Sequence, residues 1–92
     1  MARKFKRVLQ WVNRIRKKEF GKGPLKQIKR GRPDDQTACA IHNCFVRSGD
    51  TSVSVDYDCV YRQEHEDIDT PYYVSRFISD FDKGKYPELV NK

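Results

Sequence analysis

The stretch SVSVDYDCVYRQ at residues 52–63 decides the fold class, because its apolar and polar side chains alternate. Alternation with a period of two is typical of a strand with one buried and one exposed face. The run is long for a single strand, and Tyr57 and Asp58 at its middle suit a tight turn. Two interpretations stay open, one long strand or a hairpin of residues 52–56 against residues 59–63, and we favour the hairpin.

A helix is predicted after this strand region. Thr70 provides a hydroxyl cap, Pro71 suits the first helical position because its missing N–H needs no partner there, and Gly84 follows the end. Apolar residues between them recur at helical spacing and predict a buried stripe of Val74, Phe77, Ile78 and Phe81. Residues 64–69 are predicted to be an acidic loop, and residues 86–90 a short extended tail.

Two more helices are predicted before the strand region. The first is amphipathic from Phe5 onward, with Trp11 at the edge of its apolar face, and it ends near Phe20 before Gly21. The second closes at Arg47 and buries Ala38, Ile41, Cys44 and Phe45. Its candidate N-caps are Asp34, Asp35 and Thr37.

Together these elements predict an α+β fold in which three helices pack on a small antiparallel sheet. The expected order is helix, helix, hairpin, helix and a short tail strand. We expect residues 1–92 to form a single domain, since 92 residues are near the lower end of what folds unaided.

Charge is divided unevenly along the chain. Residues 1–33 hold 13 Lys and Arg against one acid, a net charge of +12, whereas residues 34–92 hold 6 Lys and Arg against 12 acids, a net charge of −6. A block of like charge repels itself unless an anion lies against it. The candidate anions are phosphates, an acidic protein surface and the acidic part of this chain itself.

The basic block has two predicted parts, an amphipathic helix at residues 1–20 and a connector at residues 21–33 that glycine and proline keep irregular. Within the connector, KRGRP at residues 29–33 is similar to the core of an AT-hook, in which glycine lets the backbone approach the minor groove and two Arg side chains enter it. A plain basic linker is the alternative, because Asp34 and Asp35 follow directly. The predicted nucleic-acid-binding residues are Lys4, Arg7, Arg14, Lys17, Lys18, Lys29, Arg30 and Arg32.

Neither catalysis nor metal binding is predicted. Cys39, His42 and Cys44 are residue types that zinc prefers, but on a helix Cys44 points about 140° away from Cys39. Cys39 near a helix start, with His42 one turn later, has the elements of an activated nucleophile, yet no patterned third partner accompanies them. We therefore expect free thiols, His42 on the helix surface, no metal, no cofactor and no enzymatic activity.

Membrane and secretion signals are missing from the sequence pattern. The apolar runs are far shorter than the roughly 20 residues that cross a bilayer, and no apolar segment follows the basic start. The first helix has the composition to lie on an anionic membrane, but its apolar face is needed to cover the sheet, so we expect no membrane partner. Three cysteines without a secretory signal indicate a reducing compartment, and we expect the cytoplasm.

Four stretches resemble one known class of proteins. They are residues 11–16 (WVNRIR), 39–42 (CAIH), 53–55 (VSV) and 74–84 (VSRFISDFDKG). They look like a class of short uncharacterised proteins encoded by bacteriophages, notably phages of actinobacteria, and the resemblance spans about residues 11–90. In that class the second stretch is usually Cys-Pro-Ile-Ala, whereas here Ala40 replaces the proline and His42 and Asn43 replace small residues. The resemblance implies a small phage accessory protein that acts in the host cytoplasm.

Charge and resemblance together predict a non-enzymatic binding protein whose basic first third engages nucleic acid, with DNA as the expected form. The alternative is an interaction protein, either a phage-encoded inhibitor of a host protein or a trap that sequesters a phosphorylated signal nucleotide. Clustered cations bind phosphates in both cases, so the shape of the site decides between them. The oligomeric state, including a homo-oligomer, stays open.

Overall fold

Three helices and one small sheet make up residues 5–91, the part of the chain that the computed structural model describes. The helices are α1 at Lys6–Phe20, α2 at Ala40–Phe45 and α3 at Tyr72–Asp82. The strands are β1 at Val53–Val55, β2 at Cys59–Arg62 and β3 at Ile68–Asp69, antiparallel and in the order β1-β2-β3. The protein therefore has an α+β fold, and the predicted fold class is confirmed.

The first helix, α1, ends where its sequence predicts. Gly21 caps it in the left-handed conformation at φ of +63°, and the Gly21 N–H donates to the Arg16 carbonyl. Trp11 was expected at the edge of the apolar face, but it is buried and its ring meets Phe45 edge to face at 6.0 Å. The buried side chains of α1 are Val8, Trp11, Val12 and Ile15.

The second helix, α2, is shorter than predicted. Asp35 does not cap it, because the Asp35 Oδ1 accepts hydrogen bonds from the Thr37 amide and hydroxyl at 3.1 and 3.2 Å. Cys39 is the N-cap instead, and its Sγ accepts the His42 amide at 3.4 Å. The helix also stops two residues before Arg47. The predicted start was wrong because a local side-chain hydrogen bond held the chain in a turn.

A hairpin, and not one long strand, occupies residues 53–62. In it Val55 lies opposite Val60 and Val53 opposite Arg62. The third strand lies in the stretch predicted to be an acidic loop, where Ile68 pairs with Val60. That prediction was wrong for two residues, because a single apolar residue among acids shows no periodicity until a partner strand is in place.

The third helix, α3, buries its predicted stripe but begins later than expected. Pro71 is the N-cap residue and not the first helical residue. The Thr70 hydroxyl donates to the Tyr57 carbonyl at 2.6 Å, so it ties the helix start to the hairpin turn and leaves the cap without a side-chain hydrogen bond. The buried residues are Val74, Phe77, Ile78 and Phe81.

The predicted tail strand is replaced by a 3-10 turn at Pro87–Leu89 and one isolated parallel bridge between Val90 and Gly31. Gly31 N–H donates to the Leu89 carbonyl at 2.8 Å, and Asn91 N–H donates to the Gly31 carbonyl at 3.0 Å. This region of the chain therefore pairs with the connector and not with the sheet.

One cluster of buried side chains joins the three helices to β1 and β2. Aromatic rings link its parts, with Phe5 meeting Phe77 edge to face at 5.4 Å and Phe20 stacking on Phe45 at 4.9 Å. In residues 5–91 every helix is too short or too polar to cross a bilayer.

Candidate nucleic-acid interface

The outward side of α1 carries five cations and no acid. At about 100° per residue, six exposed residues fall within about 120° of the helix surface, and the uncharged one is Gln10. The other five, which we call the α1 basic face, are Lys6, Arg7, Arg14, Lys17 and Lys18. At 1.5 Å per residue the face is about 18 Å long.

In the described part of the chain, no ion pair joins this face to the acidic residues. Within residues 5–91 the ion pairs are Arg62 with Glu19 at 3.1 Å and Lys85 with Asp80 at 3.5 Å, and neither joins a cation of the basic third to an acid beyond it. Arg7 lies over the ring of Tyr73 at 4.2 Å, a cation–π contact at the boundary between α1 and α3. The described cations of the face are therefore open to an external anion.

Two other cations of the basic third serve the fold instead. Arg16 Nη1 donates to the Cys44 carbonyl, and Arg16 Nε donates to the Gly23 carbonyl at 2.7 Å. Lys22 Nζ donates to the Phe45 carbonyl. Both side chains reach the carboxyl end of α2, where carbonyls lack helical partners and the helix dipole favours positive charge.

The connector is held against α1 and α2 along its length. The Asn13 side chain donates to the Leu25 carbonyl at 3.0 Å and accepts the Leu25 amide at 2.8 Å. Farther along, the Lys29 backbone amide donates to Cys44 Sγ at 3.4 Å, and the Asn43 side-chain Nδ2 donates to the Arg30 carbonyl at 2.9 Å. These bonds use the connector backbone, so the side chains of Lys29 and Arg30 stay exposed.

Gly31 is glycine because the connector passes very close to the start of α2. A Cβ atom at this position would lie 2.3 Å from the Ala40 nitrogen and 2.3 Å from the Cys39 carbonyl carbon. An AT-hook needs its glycine backbone at the floor of the minor groove. In this conformation the backbone of Gly31 is buried in the protein, so the glycine of the KRGRP stretch has a packing role here.

The thiols are not activated. Burial raises the pKa of Cys39 to about 11, and burial raises the pKa of Cys44 to about 12, so both stay protonated at neutral pH. The geometry also gives each sulfur a structural use, with Cys39 capping α2 and Cys44 accepting the Lys29 amide. Among residues 5–91, no group of three or more His, Cys, Asp or Glu side chains is placed to hold a metal ion.

His42 was expected on the helix surface, but it is 0% exposed. Its ring nitrogens face two oxygens, with Nδ1 at 3.0 Å from Asn43 Oδ1 and Nε2 at 2.8 Å from the Asp50 carbonyl. The Asn43 Nδ2 in turn donates to the carbonyls of Arg30 and Ala38. His42 and Asn43 therefore form a polar link from the connector to the loop after α2.

Acids gather in another part of the molecule. Asp34, Asp35, Asp56 and Asp82 line one small cavity of about 110 Å³. Burial raises the pKa of Asp82, the hydrogen bond from the Asp34 amide opposes the shift, and the charge of Asp34 adds to it. No residue of the α1 basic face lines this cavity, so these acids and that face lie in different parts of the described chain.

The predicted binding residues do not form one surface. Lys4 lies outside the described residues, and Arg7, Arg14, Lys17 and Lys18 share the α1 basic face. Lys29 and Arg30 line a groove beside the connector, whereas Arg32 lines a separate depression with Asp35. Sequence reasoning missed Lys6, which helical spacing alone could have placed on the face, and Lys26, which only the folded connector brings into the groove.

No family model, curated protein or solved structure matches the chain. Function must therefore be inferred from the residues and their arrangement.

Proposed function

We propose that this chain is a non-enzymatic nucleic-acid-binding protein that contacts the phosphates of duplex DNA through the α1 basic face. The resemblance to phage proteins supports a phage accessory role in the cytoplasm of an infected host. The observation that carries the proposal is a row of five exposed cations on a helix side, without an acid among them and, within residues 5–91, without an ion pair to the acidic part.

The shape of this face favours a polymer over a small anion. A nucleotide trap needs cations that converge on an enclosed volume, whereas these side chains stand on the convex surface of a helix. A row about 18 Å long matches a run of phosphates along a nucleic-acid backbone. Helix side chains of this kind contribute affinity through counterion release, with little sequence preference.

The test is fluorescence anisotropy with a labelled DNA duplex across a salt series. If all five cations contact phosphates, the logarithm of affinity falls with the logarithm of salt at a slope of about −4.5, which is roughly a 500-fold loss between 50 and 200 mM. Because Gly31 is buried, we expect A/T-rich and G/C-rich duplexes to bind alike.

Two matched variants locate the surface. Lys17→Ala with Lys18→Ala should reduce the slope by about two, because two phosphate contacts are lost. Arg47→Ala with Lys83→Ala removes the same charge from exposed positions of the acidic part and should leave the slope unchanged. No binding at the lowest salt, or an equal loss in both double variants, overturns the proposal.

A further inference from the structure

A groove of about 650 Å³ runs between the start of α1, the connector and the 3-10 turn at Pro87–Leu89. This volume is within the range of sites that hold a ligand or a few side chains, about 300–1,000 Å³. Its apolar lining includes Leu9, Leu25, Ile28 and Leu89. Leu9 and Leu25 are only half-buried, so an apolar surface is exposed to solvent in the groove.

Three cations stand at the edge of this surface. Lys26, Lys29 and Arg30 line the groove and are exposed, and within residues 5–91 their side chains have no acidic partner. Glu88 is the acid among the described lining residues. The net charge of the groove is therefore positive, which selects an anionic occupant.

The backbone of the connector adds polar groups to the site. Lys26 and Gln27 are exposed, and their amides and carbonyls make no hydrogen bond within the described part of the chain. An extended peptide can pair with such groups while its side chains enter the groove.

The apolar lining favours a peptide over a nucleobase. Bases bind by stacking on an exposed aromatic face. The aromatic ring that lines the groove, Phe5, is buried and already packed edge to face against Phe77 and Tyr86. Leu9 and Leu25 are instead suited to aliphatic or aromatic side chains of a partner.

We propose that this groove binds an extended acidic peptide segment of a partner protein. The apolar side chains of the peptide pack against the leucines of the lining, and its carboxylates pair with Lys26, Lys29 and Arg30. This site is separate from the α1 basic face and does not depend on the nucleic-acid proposal. It gives the protein a second binding surface, which attaches a partner while α1 holds nucleic acid.

The test uses a fluorescein-labelled synthetic peptide, Asp-Leu-Glu-Phe-Asp-Leu-Glu-Ile, and the full chain at about 0.15 M salt. The double variant Lys26→Glu with Arg30→Glu should bind the peptide at least about tenfold more weakly, since two attractions become repulsions. The control is Lys17→Glu with Lys18→Glu, which makes the same charge change on α1 and should alter peptide affinity by less than about threefold. Duplex binding should show the opposite pattern, so the two proposals can fail independently.

A second peptide distinguishes binding in the apolar groove from attraction by net charge alone. In it each Leu, Phe and Ile is replaced by Ser at constant charge, and we expect at least about a tenfold loss of affinity. Equal binding of both peptides, or equal loss in both charge-reversed variants, overturns the proposal. Displacement of the peptide by a single-stranded oligonucleotide with the same sensitivity to Arg30→Glu assigns the groove to nucleic acid and also overturns it. A dimer in sedimentation that Arg30→Glu dissociates assigns the groove to a second copy, with the same consequence.

Discussion

Arg16 and Lys17 are neighbours in the sequence and carry the same charge, but their side chains lie on different sides of α1 and make different contacts. Arg16 donates to two backbone carbonyls and joins α1 to α2, whereas Lys17 is exposed and has no partner in the described chain. The same division runs through the basic third from residue 5 onward. Gly31, Arg16 and Lys22 build the fold, while the α1 basic face and the groove cations remain at the surface. Net charge therefore overstates the number of cations that can meet a ligand.

The largest effect is expected where the inner side of α1 meets α3. Phe77→Ala removes a buried ring that contacts Phe5, and it should cost about 3–5 kcal/mol of unfolding free energy. Thermal melts should show a melting temperature lowered by well over 10 °C, since 1 kcal/mol of unfolding free energy shifts it by about 4–8 °C at this length. Tyr72→Ala on the same helix is the control, because Tyr72 is 76% exposed and should change the free energy by less than about 0.5 kcal/mol. A Phe77→Ala melt within about 2 °C of the parent would show that α3 is not packed against α1.

The next effect tests whether the connector is part of the fold. Gly31→Ala places a methyl group against backbone atoms of Cys39 and Ala40, so the connector must move, at a cost of about 3 kcal/mol. Gly23→Ala is the matched control in the same connector, since nothing lies within 4 Å of its added methyl group. That variant should be neutral or up to about 1 kcal/mol more stable. Chemical denaturation measures both, and equal stability of the two variants would mean that the connector is not docked.

The smallest effect tests directly whether the two sides of α1 differ in function. Arg16→Ala should cost about 1.5–3 kcal/mol, because the carbonyls of Cys44 and Gly23 lose a charged donor. In the protein that remains folded, Arg16→Ala should leave the salt dependence of DNA binding unchanged. Lys17→Ala should do the reverse, with a stability change below about 0.5 kcal/mol and a slope reduced by about one. If both variants reduce the slope equally, the two sides of α1 are not functionally distinct.

The sequence predicts the elements that depend on periodicity. The α3 stripe and α1 as far as Gly21 followed from apolar spacing, and the hairpin followed from alternation together with Tyr57 and Asp58. Predictions failed where a long-range partner decides the structure. Ile68 becomes a strand residue only beside Val60, and the Thr70 hydroxyl donates to the Tyr57 carbonyl in the hairpin turn and does not cap a backbone amide of α3.

The candidate site follows the same rule. Helical spacing alone is enough to place Arg14, Lys17 and Lys18 on one face of α1. The same spacing puts Arg16 outside that face, but no local pattern could show that it meets the Cys44 carbonyl, which lies 28 positions along the chain. His42 was misplaced for a related reason, since the oxygens that make its burial possible belong to Asn43 and to the Asp50 loop.

The bridge between Gly31 and Val90 also has a kinetic consequence. Its two residues are 59 positions apart, whereas α1 and the hairpin close through local contacts. Contacts of such long range form late in folding, because the intervening loop must lose entropy first. On the ribosome, Gly31 must wait for residues 89–91 to be synthesised before it can pair with them. Until then the Gly31 end of the connector lacks this bridge, although its hydrogen bonds to α1 and α2 can already form, and an anionic surface such as ribosomal RNA can compete for the neighbouring cations.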